Sequence, residues 1–394
     1  MASMPITAIY ASSILTPQEE IREGVIIVEG SRIVAVGHRD EIRIPSGARD
    51  YLAPGLTAVP GFVDLHIHGA GGHDFMEADS RALDRITSTV ARYGTTSLVA
   101  TTVTAPVEET CSSLQGIAHY IRSHENPDPN GSLEAEILGI HLEGPFISPT
   151  RRGVHPEKFI AIPSVEVLNQ FSKASDGLLK ILTLAPELPG AMELIEFATA
   201  AGIVVGMGHT DATYDQARAA IRAGARHAVH TYNAMRPFSH RDPGILGAIM
   251  TDPEVTAEVI ADGVHVAVAA VQVLMGAKGF DTVLLVSDGI AATGMRDGTY
   301  RLGNFDVSVR EGVARNAEGK LAGSTLALDR AVRNVVAWGV PLFDAIRMAT
   351  VLPARRLGLA GKKGVIAPGA DADIVLLTAD LRIAAVMTRG SGLE

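Results

Sequence analysis

Six side chains with metal-binding chemistry are spaced along the sequence, each at the end of a segment with the composition of a buried strand. They are His66, His68, Glu143, His209, His230 and Asp288. Such residues are costly to bury without partners, so their recurrence at corresponding strand ends is unusual for purely structural residues. His66 and His68 are two positions apart, which directs both side chains to one side of a strand. The pattern therefore predicts a metal site.

The ligand types limit the choice of metal. Imidazole and carboxylate groups without thiolate suit Zn²⁺ or Fe²⁺, with Mn²⁺ and Co²⁺ also possible. The set is too large for one tetrahedral ion, so we predict two divalent ions per subunit, with Glu143 between them. His66 and His68 would bind one ion, and His209 and His230 the other. Such ions activate water as a nucleophile, and Asp288 is placed to act as general base and then as acid for the leaving group.

Eight strand candidates alternate with helical segments through the middle of the chain. This alternation is typical of a parallel α/β architecture, and eight strands favour a closed (β/α)8 TIM-like barrel, whose active site lies at the carboxyl ends of its strands. The predicted strands are residues 62–68, 97–103, 137–143, 181–185, 203–209, 227–233, 256–261 and 282–288.

Both ends of the chain have a different pattern. Short strand candidates at 6–11, 24–28 and 32–36 precede a Pro/Gly-rich passage, and similar signals return at 372–377 and 383–388. We therefore expect a small β-sandwich domain formed from both termini. The predicted boundaries are 1–60 plus 360–394 for this domain and 61–359 for the catalytic barrel.

Composition excludes several classes of partner. The 394-residue chain has a net charge of −10 and contains no run of Lys or Arg, so neither nucleic acid nor an anionic membrane is an expected partner. The first residues lack the charged and apolar regions of a secretion signal. We predict a cytoplasmic protein.

The ordered set of motifs resembles the amidohydrolase superfamily, in which His-x-His, two further histidines and an aspartate lie on strands one, five, six and eight. Within it, His141-Leu142-Glu143-Gly144-Pro145 is similar to the N-acetylglucosamine-6-phosphate deacetylases, where glutamate replaces a carboxylated lysine. The resemblance implies hydrolysis of N-acetyl-D-glucosamine 6-phosphate to D-glucosamine 6-phosphate and acetate by metal-activated water. It also implies a role in amino-sugar catabolism or cell-wall sugar recycling.

The same resemblance implies a set of substrate contacts. Asn233 and the backbone of Ala234 match a phosphate-binding segment, His265 matches a histidine near the sugar phosphate, and His155 matches a further substrate histidine on a loop. Arg241 matches an arginine donated by a neighbouring subunit, which implies a homodimer with shared active sites.

Two other functions remain open from the sequence. Another barrel hydrolase, such as a deaminase or a cyclic-amide hydrolase, would use the same metal-activated water but usually without a phosphate on the substrate. A non-catalytic scaffold would be expected to have lost metal ligands, whereas this chain keeps the full set.

Overall fold

The computed structural model describes residues 5–126 and 131–393. The described strands are β1 (Ile6–Leu15), β2 (Glu20–Glu29), β3 (Arg32–His38), β4 (Arg49–Pro60), β5 (Phe62–Ile67), β6 (Gly69–Ala70), β7 (His73–Asp74), β8 (Thr95–Thr101), β9 (Glu136–Glu143), β10 (Leu179–Leu184), β11 (Val204–Met207), β12 (His227–Ala228), β13 (Thr256–Ile260), β14 (Val283–Val286), β15 (Gly298–Leu302), β16 (Phe305–Arg310), β17 (Val313–Arg315), β18 (Ile374–Leu377) and β19 (Ile383–Met387).

The described α-helices follow most of the barrel strands. They are α1 (Ser80–Ala91), α2 (Val107–Ser123), α3 (Val165–Ala174), α4 (Ala191–Ala200), α5 (Tyr214–Ala223), α6 (Gly244–Thr251), α7 (Val268–Lys278), α8 (Leu328–Ala337), α9 (Leu342–Ala349) and α10 (Val351–Arg356). Local signals explain several of their ends. The Asp79 side chain accepts from Ala82 N at the start of α1, and Thr213 and Gln216 form a capping box at the start of α5.

The central sheet contains eight parallel strands in the order β5, β8, β9, β10, β11, β12, β13 and β14. Strands β5, β8 and β14 are buried along their whole length, as expected where helices cover the outer face and side chains fill the inside. The predicted (β/α)8 barrel is confirmed.

Backbone hydrogen bonds close the barrel between the end of β5 and the residues after β14. Asp288 N donates to His66 O at 2.8 Å, and His68 N donates to Gly289 O at 2.7 Å. The carboxylate of Asp64 strengthens this seam by accepting from the backbone N–H groups of His66 and Ser287. The seam is therefore formed by the same residues that flank the predicted ligands.

Both ends of the chain form a second sheet beside the barrel, as expected for a small β domain. Its six strands lie in the order β19, β18, β4, β1, β2 and β3. Strand β4 falls in the Pro/Gly-rich passage and was missed, because Pro54, Gly55 and Pro60 obscure its apolar pattern. It pairs in parallel with β1 and antiparallel with β18, so it joins the amino-terminal and carboxyl-terminal strands.

A three-stranded antiparallel sheet of β15, β16 and β17 was not predicted. It lies between β14 and α8 in the chain and has its own small apolar core, which includes Leu302, Val307 and Val309. We call it the ribbon. Among the described helices, none has both the length and the apolar character needed to cross a membrane.

A buried ion cluster connects the terminal sheet to the barrel. Lys363, only 1% exposed, places Nζ 2.8 Å from Asp373 Oδ2 and 2.9 Å from Asp371 Oδ2 and also contacts Glu136, the first residue of β9. Burial lowers the pKa of Lys363, but the three carboxylates outweigh burial and raise it. The cluster thus fixes the start of the strand that ends at Glu143.

We expect Lys363→Met to lower the free energy of unfolding by about 3–5 kcal/mol, because it leaves buried carboxylates without their cation. Thermal and denaturant unfolding would measure the loss. The matched control is Lys362→Met, since Lys362 is the exposed neighbour. Equal stability of the two variants would contradict a stabilising role for the cluster.

Candidate metal centre and active site

The predicted ligands meet at the carboxyl-terminal mouth of the barrel. Three of them lie two residues beyond their strands: His209 after β11, His230 after β12 and Asp288 after β14. All three have left-handed backbone angles, with φ of 46°, 32° and 49°. Such angles cost roughly 1–3 kcal/mol each in residues other than glycine and are found where function holds them in place. The sequence prediction that these strands continue through the ligands was wrong.

Glu143, the last residue of β9, lies at the centre of five imidazoles. They belong to His66, His68, His155, His209 and His230. Its Oε1 lies 2.9 Å from His230 Nε2 and 3.2 Å from His209 Nε2, and its Oε2 lies 3.2 Å from His68 Nε2. Oε1 also faces His66 Nε2 at 3.4 Å, and Oε2 also faces His155 Nε2 at 3.5 Å, so both oxygens are shared among several rings.

Asp288 faces His66 and His68 across the seam that joins β5 to the residues after β14. Its Oδ1 lies 3.3 Å from His68 Nε2 and 3.6 Å from His66 Nε2. Three overlapping buried groups at this mouth have the geometry to hold a cation, and a fourth, largely exposed group, Asp84–His124–Glu134, lies elsewhere. The three buried groups are His66–His68–Asp288, His66–Glu143–His230 and Glu143–His155–His209.

Hydrogen bonds on the far side of two rings fix which nitrogen faces the cluster with a lone pair. His209 Nδ1 lies 2.9 Å from Arg151 O, and because a carbonyl only accepts, Nδ1 carries the proton and Nε2 is free to bind. His66 Nδ1 likewise donates to Glu258 Oε2 at 3.0 Å. These outer contacts are the arrangement that metal-binding histidines generally need.

The cluster fits a divalent cation better than it fits a set of hydrogen bonds. His66 Nε2 is fully buried, points toward Glu143 and has no hydrogen-bond partner. The Nε2 atoms of His209 and His230 are only 3.2 Å apart, with both facing Glu143 Oε1. A cation satisfies these facing lone pairs together, whereas a shared proton satisfies only one pair.

Protonation of the rings shows how strongly the site attracts positive charge. Burial lowers the pKa of His68, but Asp288 and Glu143 outweigh burial and raise it to about 9. Burial raises the pKa of Glu143, but His66 and the other histidines reverse this and hold it well below its usual value. Protons and metal ions thus compete for the same nitrogens.

Sequence reasoning missed Glu258, which lies in the middle of β13. Its fully buried carboxylate contacts His66 Nδ1 at 3.0 Å and His227 Nε2 at 2.8 Å, and it accepts from His230 N at 3.0 Å. It therefore links His66, on β5, to the turn that carries His230. A charged residue within an otherwise apolar barrel strand was the signal that could have identified it.

His155 lies in the same cluster, on the loop after β9. Thr104 N donates to its Nδ1 at 3.3 Å, so the proton of the neutral ring is on Nε2, which lies 3.5 Å from Glu143 Oε2. Burial lowers the pKa of His155 to about 4, which keeps the ring neutral. Its Nε2–H is thus a neutral donor directed into the cavity.

Three of the other predicted substrate residues reach the same cavity. Asn233, Ala234 and His265 line it together with Glu143 and Asp288. His265 is oriented by a 2.7 Å contact between its Nδ1 and Asp262 Oδ2. Burial lowers the pKa of His265, but Asp262 outweighs burial and raises it. The ring consequently favours an anionic ligand.

The turn after β12 exposes backbone donors. His230, Tyr232 and Ala234 have positive φ values, which alternate along the turn as in backbone nests that bind anions. Ala234 N–H has no protein partner among the described residues, although its carbonyl accepts from Thr210 N.

Arg241, in contrast, is exposed and does not line this cavity in the single chain.

Comparisons with known proteins agree with this geometry. The model of the amidohydrolase family matches residues 57–391. The chain is 38% identical to N-acetylglucosamine-6-phosphate deacetylase of Vibrio furnissii, covering 96% of this chain and 93% of that one. It is 39% identical to N-acetylgalactosamine-6-phosphate deacetylase of Escherichia coli O157:H7, covering 84% and 86%.

A similar solved structure is a mutant N-acetyl-D-glucosamine-6-phosphate deacetylase from Mycobacterium smegmatis in complex with N-acetyl-D-glucosamine-6-phosphate. Its sequence identity with this chain is 39%, the TM-score is 0.91 and 99% of each chain is covered. The enzyme from Thermotoga maritima has a TM-score of 0.87 at 32% identity, covering 98% of this chain and 99% of that one.

We expect Glu258→Gln to weaken binding of Zn²⁺ by about 10- to 100-fold, because the amide no longer attracts the Nδ1 proton of His66 as strongly. Competition with a chromogenic chelator measures this affinity without any assay of turnover. Glu254→Gln is the control, since Glu254 is an exposed glutamate just before the same strand. An unchanged affinity in Glu258→Gln would show that the outer contact does not support metal binding.

Proposed function

The chain belongs to the amidohydrolase family, and from that premise we propose that it hydrolyses N-acetyl-D-glucosamine 6-phosphate to D-glucosamine 6-phosphate and acetate. One observation carries this proposal. A single cavity combines the buried carboxylate–imidazole cluster with a separate set of anion-binding groups, Asn233, Ala234 and His265. The first set suits amide hydrolysis, and the second suits a phosphate some distance from the scissile bond.

We propose that the cluster holds two divalent ions, Zn²⁺ or Fe²⁺ being favoured over Mn²⁺ or Co²⁺. The ligands would be His66, His68, Glu143, His209, His230 and Asp288. When bound, such ions polarise the amide carbonyl and lower the pKa of water. The preference for two ions rests on the number of buried ligand atoms, which form three overlapping candidate groups that share His66 and Glu143.

Asp288 is the proposed catalytic residue for proton transfer. Its carboxylate lines the cavity, and the pKa, which burial would raise, is lowered by His68 and His66, so the group is ionised and can accept a proton from the attacking water. The same carboxylic acid then protonates the departing amine nitrogen. One group can serve both steps because it lies at the seam, beside the cluster and open to the cavity.

His155 would bind the acetyl oxygen. Its neutral Nε2–H faces the cavity beside Glu143, and Thr104 holds this tautomer in place. A fixed neutral donor stabilises negative charge that develops on the oxygen and does not transfer its own proton.

The phosphate would bind at the turn after β12. Asn233, the free N–H of Ala234 and the His265 ring form the part of this site contributed by one chain. Arg241 of a second subunit would complete it in a homodimer. Two features of this loop support that role. Arg236 holds the loop in place through ion pairs with Asp242 and Asp211. Arg241 and the 55% exposed Phe238 have no partner within the described chain and are therefore available to a second subunit.

We further propose the domain division 1–60 plus 360–394 and 61–359, and a cytoplasmic location. The division is supported by the six-stranded sheet from both ends and by its separate apolar core. Residues 1–4 and 394 lie outside the described part of the chain. The location is supported by the single cysteine, since a chain with one cysteine cannot form an internal disulfide and suits a reducing compartment. The product would feed amino-sugar catabolism or cell-wall sugar recycling.

A second candidate substrate is N-acetyl-D-galactosamine 6-phosphate. It is favoured by the 39% identity with the Escherichia coli enzyme that bears this substrate in its name. The two sugars differ only in the configuration at C4, so the same amide and phosphate sites would serve both.

The decisive experiment measures acetate release from both phosphorylated sugars and from unphosphorylated N-acetylglucosamine. We expect acetate release from N-acetylglucosamine 6-phosphate and a kcat/KM at least 100-fold lower for the sugar without phosphate. A chelator should abolish this activity, and addition of Zn²⁺ or Fe²⁺ should restore it. A higher kcat/KM for the galactosamine derivative would support the second candidate. No release from any of the three by metal-loaded protein would contradict both.

The shared site is tested by mixing two variants, each of which is defective in a different part of the site. Asp288→Asn should lose about 10²–10⁴-fold in kcat because it removes the proton acceptor, and Arg241→Ala should raise KM for the phosphorylated sugar. In a mixed dimer, one site combines the intact Asp288 of one chain with the intact Arg241 of the other. After refolding the mixture we expect up to a quarter of wild-type activity at low substrate concentration.

The control for this experiment is Arg310→Ala mixed with Asp288→Asn, since Arg310 lies on the exposed side of the ribbon. Arg310→Ala should itself be fully active. Activity of the Arg241→Ala mixture no higher than the sum of its parents would refute donation of Arg241 across an interface.

A further inference from the structure

One wall of the active-site cavity is apolar, although the sugar phosphate proposed above is mainly polar. Val103, Val154, Leu302 and Leu321 line the cavity together with the metal-binding and substrate-binding groups. Val103 is 3% exposed and Leu302 is 2% exposed. Buried apolar side chains gain most from an apolar ligand group, and the one alkyl group of the substrate is the acetyl methyl.

The chain places this wall next to the atoms that would react. Val103 directly precedes Thr104, which holds the ring of His155, and His155 Nε2 lies 3.5 Å from Glu143 Oε2. Leu302 belongs to the same small core as Val154, the residue before His155. The apolar side chains thus approach the cluster from the His155 side, where the acyl group of the substrate would lie.

The wall is held in a fixed position. Gly303, which follows Leu302 at the turn of the ribbon, packs so closely on the loop after β8 that a Cβ there would lie 2.4 Å from Val103 Cγ1. Its N–H donates to Asp74 Oδ2 at 2.9 Å. Asp74, the last residue of β7, is itself buried and also accepts from Met76 N. The ribbon therefore cannot lift away from Val103 without breaking a buried hydrogen bond.

We infer that Val103 and Leu302 form the acyl pocket and determine which acyl chains the enzyme removes. The pocket accepts a methyl group and excludes longer linear acyl chains, because rigid walls from two different elements meet around it. This inference rests on the proposed deacetylase function. It names two specificity-determining residues outside the metal centre and the phosphate site.

The test compares kcat/KM for N-acetyl, N-propionyl and N-butyryl derivatives of glucosamine 6-phosphate. For Leu302→Ala we expect the butyryl-to-acetyl ratio of kcat/KM to rise at least tenfold above that of the wild-type protein. Val103→Ala is a second, independent variant on another element and should raise the propionyl-to-acetyl ratio. The matched control is Val307→Ala, since Val307 lies in the same ribbon core and does not line the cavity.

The outcomes separate the two proposals. Wild-type protein that releases no acetate from N-acetylglucosamine 6-phosphate contradicts the proposed function, whatever the variants do. Wild-type release combined with unchanged acyl ratios in both Leu302→Ala and Val103→Ala overturns the acyl pocket. An equal rise in Val307→Ala also overturns it, because loosening of the ribbon would then explain the effect.

Discussion

The structure depends on the hydrogen-bonded seam that closes the barrel between β5 and the residues after β14. Asp288 N, His68 N and Gly69 N all donate across it, to carbonyls of His66 and Gly289. Because the seam joins the first barrel strand to the last, it places His66 and His68 against Asp288. Ser324 N donates to Asp288 O at 2.7 Å and extends the seam to the segment after the ribbon. The hydrogen bonds that close the barrel therefore also bring these metal-binding side chains together.

The site concentrates costs that the rest of the fold must offset. Three ligands occupy left-handed backbone positions, and several ionisable groups are buried. Burial disfavours each charge by itself, so the carboxylates and imidazoles are stable only as a mutually compensating set. Glu258 belongs to that set because it contacts the ring of His66 and accepts from the backbone of His230, and thereby connects these two ligands. Burial of the apolar barrel core provides the favourable free energy of folding that offsets these unfavourable terms.

Three kinds of wall surround one cavity, and each comes from a different part of the chain. The ligands come from the ends of strands. The anion-binding groups come from the turn after β12 and the loop after β13, and Val103 and Leu302 of the apolar wall come from the loop after β8 and from the ribbon. This separation allows the reacting centre to stay constant while substrate preference changes in the loops, as is common in (β/α)8 barrels.

The sequence by itself determined the ligand types, their order and the eight alternating strands, because ligand chemistry and hydrophobic periodicity are local properties. It did not reveal the left-handed turns at His209, His230 and Asp288, and it missed β4, the ribbon and Glu258. Those features depend on tertiary contacts: Glu258 meets a histidine 192 residues away, and Leu302 lines the cavity beside Val103, on which Gly303 packs closely. Periodicity shows that a residue is buried in a strand, whereas only the closed barrel decides which distant group it faces.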